Sequence, residues 1–301
     1  MSFSSEVKEE LFKQVPTARH CQIAELAAIL KYTKAIRQQS DASFVIELEQ
    51  EEQPIGKKGQ LLLKRAFQMS PVYREGQTQE CSAHYEDRKQ VQGVLQTIKY
   101  DADVSLVSPL VLKSICCKRA FLRGAFLSIG SMSNPEKGYH LEFVCDALEQ
   151  AQQLQEIMAL FDVEGKIVAR KKYQVLYVKE SEGIVELLNV MGAHVALMNL
   201  ENLRILKDMR NSINRRVNCE AANINKTVNA ATKQIEDIQY IRDHYGFENL
   251  TEQLREMAVV RLEYPDASLK ELGEYLEPKV GKSGVNHRLR KLGELADKLK
   301  N

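Results

Sequence analysis

Residues 282–300 sort by chemical type at helical spacing. At about 100° per residue, Val285, Leu289, Leu292, Ala296 and Leu299 fall on one stripe. Ser283, His287 and Arg290, flanked by Asn286 and Lys291, fall on the opposite one. Hydroxyl, amide, imidazole and guanidinium groups can reach base edges and phosphates in a DNA major groove. They lie in the first two turns, where free N–H groups also favour a phosphate, and Lys282 precedes them. Arg288 lies nearer the apolar stripe and reads as a phosphate or structural contact.

The preceding segment supplies what such a helix needs to be held. Pro265 breaks a helix, Ser268 and Glu271 have capping-box spacing, and Leu269, Leu272 and Leu276 face inward. Gly273 leaves room for a second helix to approach, residues 277–282 read as a turn, and Ser283 reads as the next N-cap. Residues 268–300 are therefore predicted to be a helix-turn-helix. A second basic stretch, residues 211–226, carries Arg215, Arg216, Asn218, Asn223 and Lys226. It could grip a phosphate backbone beside the helix pair, and by composition it is equally a polar linker.

Charge agrees with this placement. The chain has 301 residues and a formal net charge of +1, yet residues 204–233 hold seven basic side chains against two acidic ones. Residues 279–301 again hold seven against two. A polyanion met by the C-terminal third is the partner this asymmetry fits.

Enzyme signals are weak. There is no P-loop, GxGxxG or GxSxG, and His84, His194 and His244 are isolated. Asp101 and Asp103 read as cap or loop residues. None of the six cysteines forms a CxxC pair and no histidine stands at ligand spacing, so neither a metal site nor a cofactor is expected. The cysteines read as reduced thiols of a cytoplasmic protein, and DNA binding would make it nucleoid-associated. The N-terminus lacks a signal peptide's apolar core, and no apolar run approaches the roughly 20 residues of a membrane helix.

The elements upstream follow from periodicity. Helices are predicted at residues 4–13, 19–36, 58–68 and 91–99, and a strand at 43–49. Pro54 and Gly56 mark a turn, and residues 73–85 read as strand and turn. A second set follows: helix 117–129, strand 139–145, helix 148–161, a hairpin of 166–170 and 173–179, and helix 184–191. Helix, two strands, helix, two strands, helix thus occurs about twice. Cys21, Ala24 and Leu26 match Cys117, Ala120 and Leu122 at a constant offset of 96, with Ala27-Ala28 opposite Arg123-Gly124. Small residues in mid-helix let two helices cross closely. After residue 195 the chain reads as all helical, with a connecting helix at 195–210. A seam then runs through Ile224, Val228, Ala231, Ile235, Ile238, Ile241 and Tyr245.

This duplicated pattern resembles the LAGLIDADG homing-endonuclease fold. The segments CQIAELAAIL, CCKRAFLRGAFLSIGS, INRRVNCEAANINK and KSGVNHRLRKLGELA give the whole chain a resemblance to the WhiA family of bacterial sporulation and cell-division regulators. The resemblance implies an α+β N-terminal domain, a duplicated LAGLIDADG-like αββαββα saddle, with an all-α C-terminal helix-turn-helix domain. The boundaries expected are 1–194 for the saddle (repeats about 1–105 and 110–194), 195–222 for a linker helix and basic stretch, and 223–301 for the DNA-binding domain. It implies a protein that binds double-stranded DNA and acts in cell division, chromosome segregation or transcription regulation. The motif's eighth letter is the acid that holds a divalent metal. Aligning Leu26–Ala28 and Leu122–Gly124 with its first letters puts Thr33 and Ile129 there, so no nuclease activity is expected. The alternatives are a metal-dependent endonuclease with relocated acids, or a scaffold whose N-terminal domain binds a protein or ligand with DNA binding secondary. Lys166, Arg170, Lys171 and Lys172 on the hairpin favour retained DNA contact.

Overall fold

The structure is a computed structural model and describes residues 2–49, 55–72 and 82–300. The turn expected at Pro54 and most of the strand and turn expected at 73–85 lie outside these residues. The chain divides into two units, Met1–Leu206 and Lys207–Asn301.

The first unit begins with α1 (Phe3–Lys13), α2 (Arg19–Tyr32), β1 (Ile36–Gln38), β2 (Phe44–Glu49), α3 (Ile55–Phe67), β3 (Ser82–Tyr85) and α4 (Arg88–Thr97). It continues with α5 (Ile115–Ile129), β4 (Gly130–Met132), β5 (Leu141–Cys145), α6 (Leu148–Ala159), β6 (Lys166–Arg170), β7 (Tyr173–Val178) and α7 (Ser181–Met191). The strands form two antiparallel sheets, ordered β1-β2-β3 and β4-β5-β7-β6. In β5, Leu141, Phe143 and Cys145 are buried while Glu142 and Val144 are half-buried, so the two faces of this sheet differ.

Helices α2 and α5 are the centre of the unit. Ten of the fourteen residues of α2 are buried, so it has no single apolar stripe and must be enclosed on most sides. The small residues at the predicted crossing do bring the two helices together. A Cβ built on Gly124 would lie 2.6 Å from the Glu25 carbonyl oxygen and 3.0 Å from the Ala28 Cβ.

A buried ionic cluster sits at that crossing. The Glu25 carboxylate is fully buried, with Oε1 3.2 Å from Lys58 Nζ and Oε2 2.9 Å from Arg123 Nη2. Lys58, also fully buried, donates to the carbonyls of Leu11 (3.2 Å), Phe12 (2.9 Å) and Gln14. Burial pushes the Lys58 ammonium pKa down, and Glu25 pulls it back up. Arg123 Nη1 donates to the Met191 carbonyl at 2.9 Å. The cluster joins α1, α2, α3, α5 and α7.

Several expected boundaries shift. Helix α2 stops at Tyr32 rather than at 36, because Thr33 caps it and Lys34 turns with φ +54, freeing Ile36 to pair with Ile46. Gly56 is not in a turn; it is buried within α3. Strand β4 follows α5 without a loop and pairs with β5.

The second unit is helical: most of α8 (His194–His244), then a short 3-10 turn at Phe247–Asn249, α9 (Glu252–Glu263), α10 (Leu269–Glu274) and α11 (Lys282–Lys300). The basic stretch expected as a linker is helical along its whole length, inside the 51-residue α8. The seam predicted from 224 to 245 is buried only in its later part. Ile238 and Ile241 are fully buried, whereas Ile224 and Val228 are exposed.

The crossing yields a stability test. Gly124→Ala is expected to lower the unfolding free energy by ~1–3 kcal/mol, because the new methyl meets backbone that cannot step aside. Gly93→Ala, in α4 with nothing within 4 Å, is expected to leave stability unchanged or raise it. Urea midpoints of the two variants decide the point; equal shifts would contradict the close crossing.

Candidate nucleic-acid interface

The α10–turn–α11 pair is built from local constraints the sequence announced. Ser268 Oγ accepts from the Glu271 N–H at 3.4 Å, and Glu271 Oε2 accepts from the Ser268 N–H at 2.8 Å. The capping box is therefore complete, and these bonds hold the Glu271 carboxyl pKa below the usual carboxylate range. The buried Arg261 of α9 donates to the Ala267 carbonyl at 2.7 Å and ties down the approach to α10. Leu272 and Leu276 are fully buried.

Gly273 acts differently from expectation. A Cβ there would lie 2.0 Å from the Val280 carbonyl oxygen, while the Val280 N–H donates to the Gly273 carbonyl at 3.0 Å. The absent side chain makes room for the turn first; Val285 of α11 comes second, its Cγ2 3.3 Å from that Cβ. The expected cap at Ser283 is also corrected. Helix α11 opens at Lys282, and the Gly281 carbonyl accepts from Gly284 (2.9 Å) and Val285 (3.1 Å). Gly281 occupies the cap position without a side chain, leaving Ser283 exposed in the first turn.

The two faces of α11 separate as the spacing predicts. Val285, Leu289, Leu292 and Ala296 are buried, and Leu299 is partly buried against the same core. Lys282, Ser283, Asn286, His287, Arg290 and Lys291 are exposed. Arg290 Nε lies 3.4 Å from Glu294 Oε1, a pair exposed on both sides that contributes little. Arg288 is committed to packing: its Nη1 lies 3.4 Å from Glu256 Oε2, and Glu256 Oε1 accepts the Glu277 N–H at 2.7 Å. One α9 carboxylate thus holds both the turn and the new helix.

On α8, Arg215, Arg216, Asn218, Asn223 and Lys226 are all exposed. Lys226 and Asn286 line one cavity of about 220 Å³ together with Thr227, Gln234, Arg261 and Ser268. Lys226, the last residue of the basic stretch, thus stands beside the helix pair; Arg215, Arg216, Asn218 and Asn223 do not line this cavity.

In the first unit, Thr33 and Ile129 stand at the C-terminal ends of α2 and α5. The Thr33 hydroxyl donates to the Ile29 carbonyl at 2.7 Å, and Ile129 is half-buried hydrocarbon. On the β6–β7 hairpin Lys166, Arg170, Lys171 and Lys172 are exposed. Arg170 Nη1 lies 3.4 Å from Glu142 Oε2, and Lys172 Nζ lies 5.1 Å from the centre of the Tyr173 ring.

One group escapes sequence reasoning. The side chains of His20, Cys21, Cys116 and Cys117 each present a ligand atom, and these atoms all lie within 4.8 Å of one another. The sequence shows no ligand spacing for this group, because the α2–α5 pairing joins residues far apart in the chain. The signal was present in the offset of 96, which matches Cys21 to Cys117 and, one residue earlier, His20 to Cys116. Burial, together with the neighbouring Cys116 and Cys117, pushes the Cys21 thiol pKa up to about 12.

No helix among the described residues is long and apolar enough to cross a membrane. Residues 213–296 match the WhiA C-terminal HTH domain, and residues 118–210 match the WhiA LAGLIDADG-like domain. The chain is 52% identical to a "Probable cell division protein WhiA" of Lachnoclostridium phytofermentans, with 100% of each chain covered. It is 44% identical to the protein of the same name from Lachnospira eligens, covering 100% of this chain and 98% of that one. The crystal structure of full-length WhiA from Thermatoga maritima superposes with a TM-score of 0.60 at 25% identity, covering 99% of both chains. The fold is thus an α+β LAGLIDADG-like domain followed by a helical helix-turn-helix domain, and the chain belongs to the WhiA family.

Proposed function

We propose that this chain is a regulator that binds double-stranded DNA through the exposed face of α11 without cutting it. It acts in bacterial cell division, chromosome segregation or transcription, at the nucleoid. The observation that carries this reading is the division of α11. Ser283, Asn286, His287 and Arg290 are exposed on one side, while the other side is fixed by a buried apolar stripe and the Arg288–Glu256 pair. A recognition helix needs both properties, since base edges are read only by side chains whose helix cannot roll. Lys282 and Lys291 flank that face as phosphate contacts, and Lys226 joins from α8 beside Asn286. The names of the relatives, "Probable cell division protein", support the cellular role.

The absence of cutting follows from ligand chemistry. Metal-assisted phosphodiester hydrolysis needs hard oxygen ligands to hold a divalent ion and activate water. Thr33 offers only a neutral hydroxyl, and Ile129 offers no oxygen ligand, so neither supplies a carboxylate. The exposed basic hairpin of the same unit supports a DNA contact there rather than a partner of another class.

Three outcomes test the reading. In duplex titrations followed by fluorescence anisotropy, Arg290→Ala is expected to weaken binding by ~1–3 kcal/mol and relax site preference. Unchanged affinity and preference would remove Arg290 from the interface. In the same assay at two salt concentrations, Lys291→Ala is expected to reduce the salt slope by about one phosphate's share and to weaken all sequences alike. Supercoiled plasmid incubated with the purified chain and magnesium is expected to stay intact. Nicking that a chelator stops would overturn the non-catalytic assignment.

A further inference from the structure

We propose that His20, Cys21, Cys116 and Cys117 form a tetrahedral site of three thiolates and one imidazole for a structural zinc(II) ion, joining the N-terminal ends of α2 and α5. His20 Nδ1 lies 3.2 Å from Cys117 Sγ, 3.3 Å from Cys21 Sγ and 4.0 Å from Cys116 Sγ. A tetrahedral zinc ion with Zn–S near 2.3 Å and Zn–N near 2.0 Å needs N···S edges of about 3.5 Å and S···S edges of about 3.8 Å. The three N···S spacings bracket 3.5 Å and no two ligand atoms are more than 4.8 Å apart, so side-chain shifts of up to about 1 Å close the tetrahedron. Three thiols and an imidazole gathered at one point gain little from one another, since sulfur is a weak donor and a weak acceptor. Zinc is the ion that this soft sulfur and nitrogen set suits.

The placement has a second regularity. Each helix contributes two adjacent residues from its first turn, and the two pairs correspond at the same offset of 96 that relates the repeats. The ion would therefore sit on the pseudo-twofold axis of the duplicated domain. Cys21 and Cys117 are buried and form the inner half; His20 and Cys116 are exposed and give the ion a route from solvent. Each thiol that binds gives its proton to solvent, and no oxidant or reductant is involved. Four protein ligands leave no open position, so the ion has a structural rather than a catalytic role. It lies at the opposite ends of α2 and α5 from Thr33 and Ile129.

The test uses the untagged full-length chain, stripped with a chelator under reducing conditions and reloaded with zinc(II) or cobalt(II). One equivalent of zinc by elemental analysis is expected, with thiolate-to-cobalt charge transfer and the d–d bands of tetrahedral cobalt. Zinc is also expected to raise the thermal midpoint of the stripped protein. Cys116→Ser and His20→Ala change exposed positions, so the fold should survive, and each is expected to lose the equivalent. His20→Cys should keep it as a site of four thiolates, and Cys219→Ser, on α8, should leave it unchanged. Substoichiometric zinc in the parent chain, an octahedral cobalt spectrum, or full loading of both Cys116→Ser and His20→Ala would overturn the proposal. So would a Cys21–Cys117 disulfide that persists in the reduced, zinc-exposed protein.

Discussion

The Glu25 carboxylate is the constraint on which the first unit turns. A fully buried carboxylate is costly unless it is paired and hydrogen-bonded, and it meets two cations, Lys58 and Arg123. Two cations on one carboxylate would leave an excess positive charge in the core. That excess is offset at helix ends. Lys58 donates to carbonyls in the last turn and cap of α1, and Arg123 donates to the last residue of α7. These carbonyls stand at helix C-termini and carry the negative end of the helix dipole, and that of Leu11 also accepts the Gln14 N–H. One carboxylate thus fixes where four other helices sit. Buried ion clusters of this kind add little net stability compared with an apolar core, so the gain here is in register. Gly124 must approach the Glu25 carbonyl for Arg123, one residue earlier, to reach the Glu25 side chain.

What was legible in the sequence follows from this physics. Periodic features showed clearly: the two faces of α11, the Ser268–Glu271 box, the β6–β7 hairpin and the small residues at the α2–α5 crossing. Each depends on neighbours within a few residues. Strands β1 and β4 did not show, because three residues are too few for alternation to register. The role of Lys58, the first residue of a predicted helix, did not show, since nothing local reveals that three carbonyls of α1 and its cap converge on it. Gly281 was passed over as a cap in favour of Ser283, whose side chain is the usual cap acceptor. The carbonyl of a glycine can open a helix equally well, and that choice frees a hydroxyl on the outer face. Ile224 and Val228 continued a helical seam by spacing, but spacing says nothing about where the facing surface ends.

Residues joined only by tertiary pairing were the least legible. The four ligand-type side chains at the start of α2 and α5 stand as two adjacent pairs separated by nearly a third of the chain. Spacing rules for metal sites assume ligands on one hairpin or one loop. A duplicated fold breaks that assumption, because its axis makes neighbours of equivalent positions.

The same axis orders the whole length of the helix pair. An offset of 96 matches Cys21 with Cys117 at one end, Ala28 with Gly124 at the crossing, and Thr33 with Ile129 at the other end. At the crossing, both members are small, as close packing requires. At the C-terminal ends, neither Thr33 nor Ile129 offers the carboxylate that a hard cation favours. At the N-terminal ends, both members offer soft ligands, His20 and Cys21 facing Cys116 and Cys117. Thr33 and Ile129 pair at one end of the axis, and three thiols and an imidazole gather at the other. Both follow from where the axis passes, and both leave the α2–α5 crossing intact.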